Sequence, residues 1–251
     1  MRTLGIDLAA AAKKTAVAVL EWAPGSARLE HLALDVGDRE IVDLFGNSSM
    51  TGIDCPVGWP DGFLPFLAGH LNSDAQPVLD HDGIEGRRLL AYRDTDRFVT
   101  GHTGLIPLSV SADRLAHPAM RCAVIQAKIA AEYGTQARDG SGRLAEVYPA
   151  ASLKVWGMMA RGYKGKTAPE TERRGVILAQ LSAAAPWLDL SGHEDRLAAS
   201  DDLLDAVIAS LTARAVSLKE TLGPPESHTA AALTEGWIHV PSGQLADLTG
   251  G

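Results

Sequence analysis

The hydrophobic pattern changes character along the chain, and each change predicts an element. Residues 3–8, Thr-Leu-Gly-Ile-Asp-Leu, form a short apolar run that reads as a buried strand. Residues 15–22 alternate small and β-branched positions and read as a second strand. Pro24-Gly25-Ser26 supplies a turn and residues 29–34 a third strand, so the three predict an antiparallel meander. The period then lengthens. Ile41, Val42, Leu44 and Phe45 give the apolar side of a helix over residues 38–45, stopped by Gly46-Asn47-Ser48. A fourth strand spans residues 50–56 and ends at Pro56, which has no N–H to offer a ladder.

Residues 56–110 differ in texture. Prolines at 56, 60, 65, 77 and 107, with recurrent glycines, predict a long irregular insertion with one short helix near residues 84–91. It is expected to lie as a lid over the site. Helical spacing returns at residues 114–133, before Gly134. Residues 144–148 read as a fifth strand ended by Pro149. Ser152 is expected to cap a helix running to Ala160, and Pro169 suits the first turn of another running to about Ala185. Leu204, Val207, Ile208, Leu211, Ala215 and Leu218 recur at spacings of three and four, the mark of an amphipathic helix with Asp201 as N-cap. Trp237-Ile238-His239-Val240-Pro241 reads as a small edge strand. The order predicts one α/β domain over residues 1–251: a mixed five-stranded sheet flanked by helices, with residues 56–110 inserted after the fourth strand.

Composition narrows the class. A hydrophobic share of 46% over 251 residues supports a sizeable core. The longest apolar runs fall short of a membrane span, and Asp7 comes too early for the apolar segment of a signal peptide. Cys55 and Cys122 are the only cysteines, which suits a reducing cytoplasm and excludes a disulfide framework. A net charge of −8 argues against a sequence-independent coat on DNA and suits an acidic site that uses divalent cations.

The placement of acids suggests where such a site lies. Asp7 and Asp54 each close a strand, and each ends a Gly-Ile-Asp triplet. Open α/β sheets gather ligands at the carboxyl ends of their strands. Glu146 lies inside a short strand, where a charge needs water, a partner or a metal. Asp202 and Asp205 are three apart, on one face of the first turn of the late helix. Acids also favour a helix N-terminus for its dipole alone; the strand-end pair shifts the reading toward a site. Clustered carboxylates need a counter-charge, and Mg²⁺ or Mn²⁺ prefers oxygen ligands. Two such ions roughly 3.5–4 Å apart could activate water and stabilise the leaving oxygen of a phosphodiester.

The basic residues offer less. Lys154, Arg161, Lys164, Lys166, Arg173 and Arg174 form the most basic stretch, either a nucleic-acid-facing surface or a solvated one. Lys154, Lys164 and Lys166 are its candidate substrate contacts. Arg93-Asp94-Thr95-Asp96-Arg97 reads equally as a phosphate clamp, through Arg93 and Asp96, or as a self-satisfied salt-bridge knot. Residues 160–167 mimic a relaxed phosphate loop but follow a helical segment where that loop needs a strand. The glycine signatures of serine hydrolases and dinucleotide folds are absent.

Six stretches resemble domain-of-unknown-function family four-two-nine, described as predicted nucleases with a ribonuclease H-like fold. They are Gly5-Ile6-Asp7, the run from Gly52 through Asp54-Cys55-Pro56 to Gly58, Arg93-Asp94-Thr95-Asp96, Glu146-Val147-Tyr148-Pro149, Asp202-Leu-Leu-Asp205-Ala206 and Glu235-Gly236-Trp237-Ile238. They fall in the expected order over nearly the whole chain. The fifth also looks like the Asp-x-x-Asp-Ala helix motif of RuvC-type Holliday-junction resolvases. The resemblance implies a ribonuclease H-like fold and nuclease activity on nucleic acid. The acid placement itself makes Asp7, Asp54, Glu146, Asp202 and Asp205 the expected ligands of Mg²⁺ or Mn²⁺. The helix-borne glutamate that follows the third strand of the best-known ribonucleases H has only Glu40 or Asp43 as loose counterparts, so Glu146 is expected in its place. Two other readings stand beside this one. A nucleotide-binding phosphotransferase of the actin and sugar-kinase type would need a phosphate-binding hairpin, usually glycine-rich, where residues 9–14 have no glycine. A non-catalytic binding module would hold the same acids for structure.

Overall fold

The computed structural model describes residues 1–250. Its sheet begins with β1 (Arg2–Asp7), β2 (Ala16–Ala23) and β3 (Ser26–Leu34), an antiparallel meander as the pattern implied. Helix α1 (Asp38–Gly46) leads into β4 (Met50–Asp54), which lies parallel to β1. The register between these two strands is informative. Gly5 pairs with Gly52, Ile6 with Ile53 and Asp7 with Asp54, so the repeated triplet stands side by side and both aspartates leave the sheet at one edge.

Helices α2 (Phe63–Asn72), α3 (Ala75–Leu79), α4 (Gly83–Ala91) and α5 (Asp94–Thr103) follow, and then α6 (Ala116–Tyr133). The chain returns to the sheet as β5 (Leu144–Val147), parallel to β4, and leaves it through α7 (Pro149–Val155). The C-terminal part runs through α8 (Ala168–Ala184), β6 (Leu188–Asp189), α9 (Glu194–Ala199), α10 (Asp201–Ser217), β7 (Thr221–Leu222), α11 (Thr229–Glu235) and β8 (Ile238–Pro241). The result is a mixed eight-stranded sheet in the order β6-β3-β2-β1-β4-β5-β8-β7, with helices on both faces. Among the described residues, no helix is long and apolar enough to cross a membrane.

Alternation along β1 sorts its two faces. Leu4, Ile6 and Leu8 join Ile41, Val42 and Phe45 of α1 and Ile125 and Ile129 of α6 in one core. Thr3, Gly5 and Asp7 point the other way, toward α10; the Thr3 and Ser210 hydroxyls meet at 2.8 Å. Helix α10 carries small residues on the turns that meet the sheet, and the glycines let it settle against the strands. A Cβ on Gly5 would lie 2.0 Å from the Ala206 carbonyl oxygen, and one on Gly52 would lie 2.5 Å from that of Ala209. Leu203, Leu204, Val207 and Leu211 fill the opposite core with Ile177 and Leu181 of α8, Leu197 of α9 and Ala18 and Leu20 of β2.

The structure corrects several expectations. The sheet has eight strands, because two-residue strands such as β6 and β7 are too short to leave a periodic signal and the Trp237 stretch, β8, pairs with both β5 and β7. It is therefore no edge strand. The expected irregular insertion holds four helices. Pro65 and Pro77 each stand third in their helix, where an N–H has no intrahelical partner, so they do not break it. The insertion is tied down by Glu235, whose carboxylate accepts the N–H groups of Asp61 at 2.8 Å and Asp94 at 2.7 Å. Helix α10 is buried on every side from residue 203 to 215 and not on one stripe. Its N-cap is Ser200, whose hydroxyl accepts the Leu203 N–H, and not Asp201. Helix α7 starts at Pro149 and encloses Ser152, which bonds Thr212 on α10 at 2.9 Å and caps nothing.

Gly5→Ala is expected to force β1 and α10 apart and to lower stability by about 3 kcal/mol or more, a fall in Tm of roughly 6–12 °C for a chain of this size. Gly175→Ala on α8, where an added Cβ meets nothing within 4 Å, is expected to raise stability by about 0.5–1 kcal/mol. Thermal melts of the two variants check both signs.

Candidate functional site

Three elements bring one carboxylate each to a single point. Asp7 ends β1, Asp54 ends β4, and Asp205 stands on the second turn of α10, which the two glycines admit to the sheet surface. One oxygen from each lies within 4.8 Å of the other two. Asp205 is buried, while Asp7 and Asp54 are half-buried. Asp202 lies one turn earlier on α10, half-buried, outside this trio but close enough to feel Asp205.

Glu146 is engaged elsewhere. Arg93 grips it with two parallel bonds, Nη2 to Oε1 at 2.6 Å and Nη1 to Oε2 at 2.7 Å, and the Val57 N–H donates to Oε2 at 3.0 Å. Arg93 also donates to both oxygens of Asp96, at 2.9 and 3.2 Å, and to the Glu235 carbonyl at 3.1 Å. Arg93, Asp96 and Glu146 are all about 1–4% exposed at their side chains. The Arg93–Arg97 stretch is thus a salt-bridge knot. All five N–H groups of its buried guanidinium are spent, leaving none for a phosphate, and both Glu146 oxygens already accept hydrogen bonds from Arg93 or Val57. Burial works against the Arg93 charge, but the facing carboxylates outweigh it and lift its pKa above the ordinary arginine range.

The basic stretch divides in the same way. Lys164 turns its ammonium to the acids, 2.7 Å from Asp205 Oδ2 and 4.0 Å from Asp54 Oδ2, while its stem stays half-exposed. The Tyr163 hydroxyl donates to Asp205 Oδ1 at 2.7 Å, and the Gly165 N–H donates to Asp201 at 2.9 Å. This loop is held from behind by Arg174, fully buried on α8. Arg174 donates to the carbonyls of Tyr163 at 2.5 Å, Gly165 at 2.9 Å and Ala198 at 2.7 Å. Arg174 therefore faces the protein and not a substrate. Arg173 is bound to the Gly162 carbonyl at 2.9 Å. Lys154 and Lys166 are exposed and, among the described residues, form no ion pair with the trio.

The trio carries more negative charge than its surroundings offset. Burial, then Asp205 and Asp54, raises the Asp7 pKa well above the usual carboxylate value, although Lys164 pulls it down. Burial raises that of Asp54 to about 7 against the pull of Lys164, with Asp205 and Glu146 adding to the rise. Asp202 is raised by burial and by Asp201 and Asp205. Burial opposes the Lys164 charge, but Asp205, Tyr163, Asp54 and Asp7 outweigh it and carry its pKa well above that of a free lysine. Among the described residues, the carboxylates of Asp7 and Asp54 accept no hydrogen bond from the chain, whereas Asp205 has Tyr163.

Sequence reasoning singled out Asp7, Asp54, Asp205 and Lys164, which the structure brings together, and missed Tyr163 and the buried role of Arg174. The only early signal for Tyr163 was its place beside Lys164. Arg174 looked like one more surface charge on a polar helix.

Among curated proteins and among solved structures, nothing matches this chain significantly. A family model does, over residues 5–230, which takes in all three aspartates, Lys164 and the Arg93 knot. The chain belongs to the family described as "Protein of unknown function (DUF429)".

Proposed function

We propose that the chain is a metal-dependent nuclease that hydrolyses phosphodiester bonds of nucleic acid on a ribonuclease H-like fold. The observation that carries this reading is the convergence of Asp7, Asp54 and Asp205 from three separate elements. The five-strand core β3-β2-β1-β4-β5, in which β2 alone runs opposite to the rest, supports the fold assignment. So does the acid-bearing helix lying across its centre.

The donor set fits a hard divalent cation. Three carboxylates against the single ammonium of Lys164 leave a formal charge of −2 (1 − 3) when all are ionised. Two of the three accept no hydrogen bond from the chain, and an all-oxygen set suits Mg²⁺ or Mn²⁺. Asp7, Asp54 and Asp205 would hold the ion, with Asp202 next in line. When bound, such an ion polarises a phosphate oxygen and lowers the pKa of a water. The chain itself supplies orientation and charge. Tyr163 fixes the direction of Asp205. Lys164, half-exposed at its side chain and 2.7 Å from Asp205, would turn to a substrate phosphate when a cation takes its place beside the acids. The phosphotransferase reading finds no support after β1, where the chain forms a short 3₁₀ turn at Ala12–Lys14 without a glycine.

Calorimetric titration of the wild-type chain with Mn²⁺ is expected to show binding. Asp7→Asn and Asp205→Asn are each expected to weaken it at least tenfold and to remove Mn²⁺-dependent cleavage of DNA, RNA, hybrid or junction substrates. A wild-type chain that binds no Mn²⁺ sinks the proposal.

The pKa of Asp54 sets a second test. In the metal-free fold it is raised to about 7, so the unfolded chain releases this proton at lower pH. The group therefore favours folding only below the ordinary carboxylate range, and that contribution is lost as pH rises to about 7. Asp54→Asn is expected to melt higher than wild type without metal, by roughly 3–6 °C at pH 8, with the gap growing between about pH 4 and pH 7 and then levelling. Mn²⁺ affinity of the wild type is expected to climb from pH 6 to pH 8, with proton release on binding. A melting gap independent of pH would contradict the assignment of Asp54.

A further inference from the structure

Of the three aspartates, Asp54 opens onto a cavity of about 610 Å³, which falls within the range of small-ligand sites. Its lining changes character from one part to another. One part presents Asp54, Tyr163 and Lys164. Another is apolar: residues 105–108, Leu-Ile-Pro-Leu, with Leu115 and the ring of Tyr148. Tyr148 lines the same space and lies near enough to Asp54, Lys164 and Arg161 to feel their charges. Three arginines also border the space, and Arg93 among them is spent on Asp96 and Glu146. Arg161 is steadied by a bond to the Gly104 carbonyl at 3.1 Å, and Arg114 makes no ion pair or hydrogen bond among the described residues.

Such a lining does not suit a duplex passing over the surface. Duplex binding relies on an extended track of cations. Here Arg174 is sealed in the core, Arg173 is tied to a carbonyl, Lys164 faces the acids, and the chain carries −8 overall. A half-open cleft with an apolar wall, an aromatic ring and charged groups matches one base with its phosphate.

Resting on the nuclease reading, we infer that the cavity receives a single unpaired nucleotide unit. Its base lies against residues 105–108 and Tyr148, and its phosphate points to Lys164 and the acids. The unit can belong to a strand end or to an unpaired interior, but a base stacked in an intact duplex cannot enter.

Titration with AMP and UMP, against ribose 5-phosphate and inorganic phosphate as probes without a base, tests the apolar half. Nucleotides are expected to bind at least tenfold more tightly than ribose 5-phosphate. Ile106→Asp and Leu108→Asp, at positions 67% and 38% exposed and so tolerant of a charge, are expected to erase that advantage while Mn²⁺ binding persists. Equal affinity for UMP, AMP and ribose 5-phosphate overturns the inference, as does an advantage untouched by both variants. Displacement of bound nucleotide by a linear single strand alone assigns the site to strand ends, and displacement by a circular single strand as well assigns it to any unpaired unit. Displacement by a covalently closed duplex as effective as by single strand overturns it. Mn²⁺ binding without nucleotide preference defeats only this inference. Nucleotide binding without Mn²⁺ binding defeats only the metal-dependent reading.

Discussion

The close approach of α10 to β1 and β4 is the constraint on which the rest depends. Two glycines in register, Gly5 and Gly52, leave the sheet without side chains where the carbonyls of Ala206 and Ala209 arrive. Any Cβ there would push the helix outward by more than its packing tolerates. Helix depth decides the site, because Asp205 sits one residue from Ala206. The same two strands carry their aspartates two residues beyond the glycines, on the same face by strand alternation. One backbone contact thus sets both the core packing and the spacing of the three carboxylates.

The molecule holds two groups of buried acids and treats them differently. Glu146 and Asp96 share Arg93, and every oxygen of that set has a donor. That group is complete, and it locks the insertion to β5 and α11. The trio at Asp7, Asp54 and Asp205 is incomplete. It has one ammonium, one phenol and open space beside it. Burying negative charge without full compensation works against stability. A fold that keeps such an arrangement beside a cavity has the features expected of a binding site and not of a structural brace.

Buried or half-buried arginines hold the loops that frame this region. Arg174 fixes the loop carrying Tyr163 and Lys164 through carbonyl contacts. Arg121 of α6 binds Asp38, the Ala9 and Val36 carbonyls and the Thr15 hydroxyl, pinning the segment after β1. Arg93 does the same for α5. The rigid fork of the guanidinium offers five donors in fixed directions to several carbonyls at once, where a lysine has three on one flexible tip. Most of the arginine content nearest the site therefore serves architecture, and the cation that faces the acids is Lys164.

Sequence alone determined the first three strands, helices α1, α6, α8 and α10, the strand-end acids and the family motifs. Each rests on local information: a period of two or of 3.6, a proline or glycine stop, a repeated triplet. It also made Asp7, Asp54, Asp202, Asp205 and Glu146 candidates of equal standing, since each was an acid at an element's end or inside a strand. Only the tertiary structure separated them, because whether a carboxylate is free depends on which distant side chain reaches it. Arg93, 53 positions away in sequence, reaches Glu146. The helix near residues 84–91 was legible, but those at 63–72, 75–79 and 94–103 and the two-residue strands were decided by packing; prolines in the first turns of the first two and very short ladders leave no periodic trace.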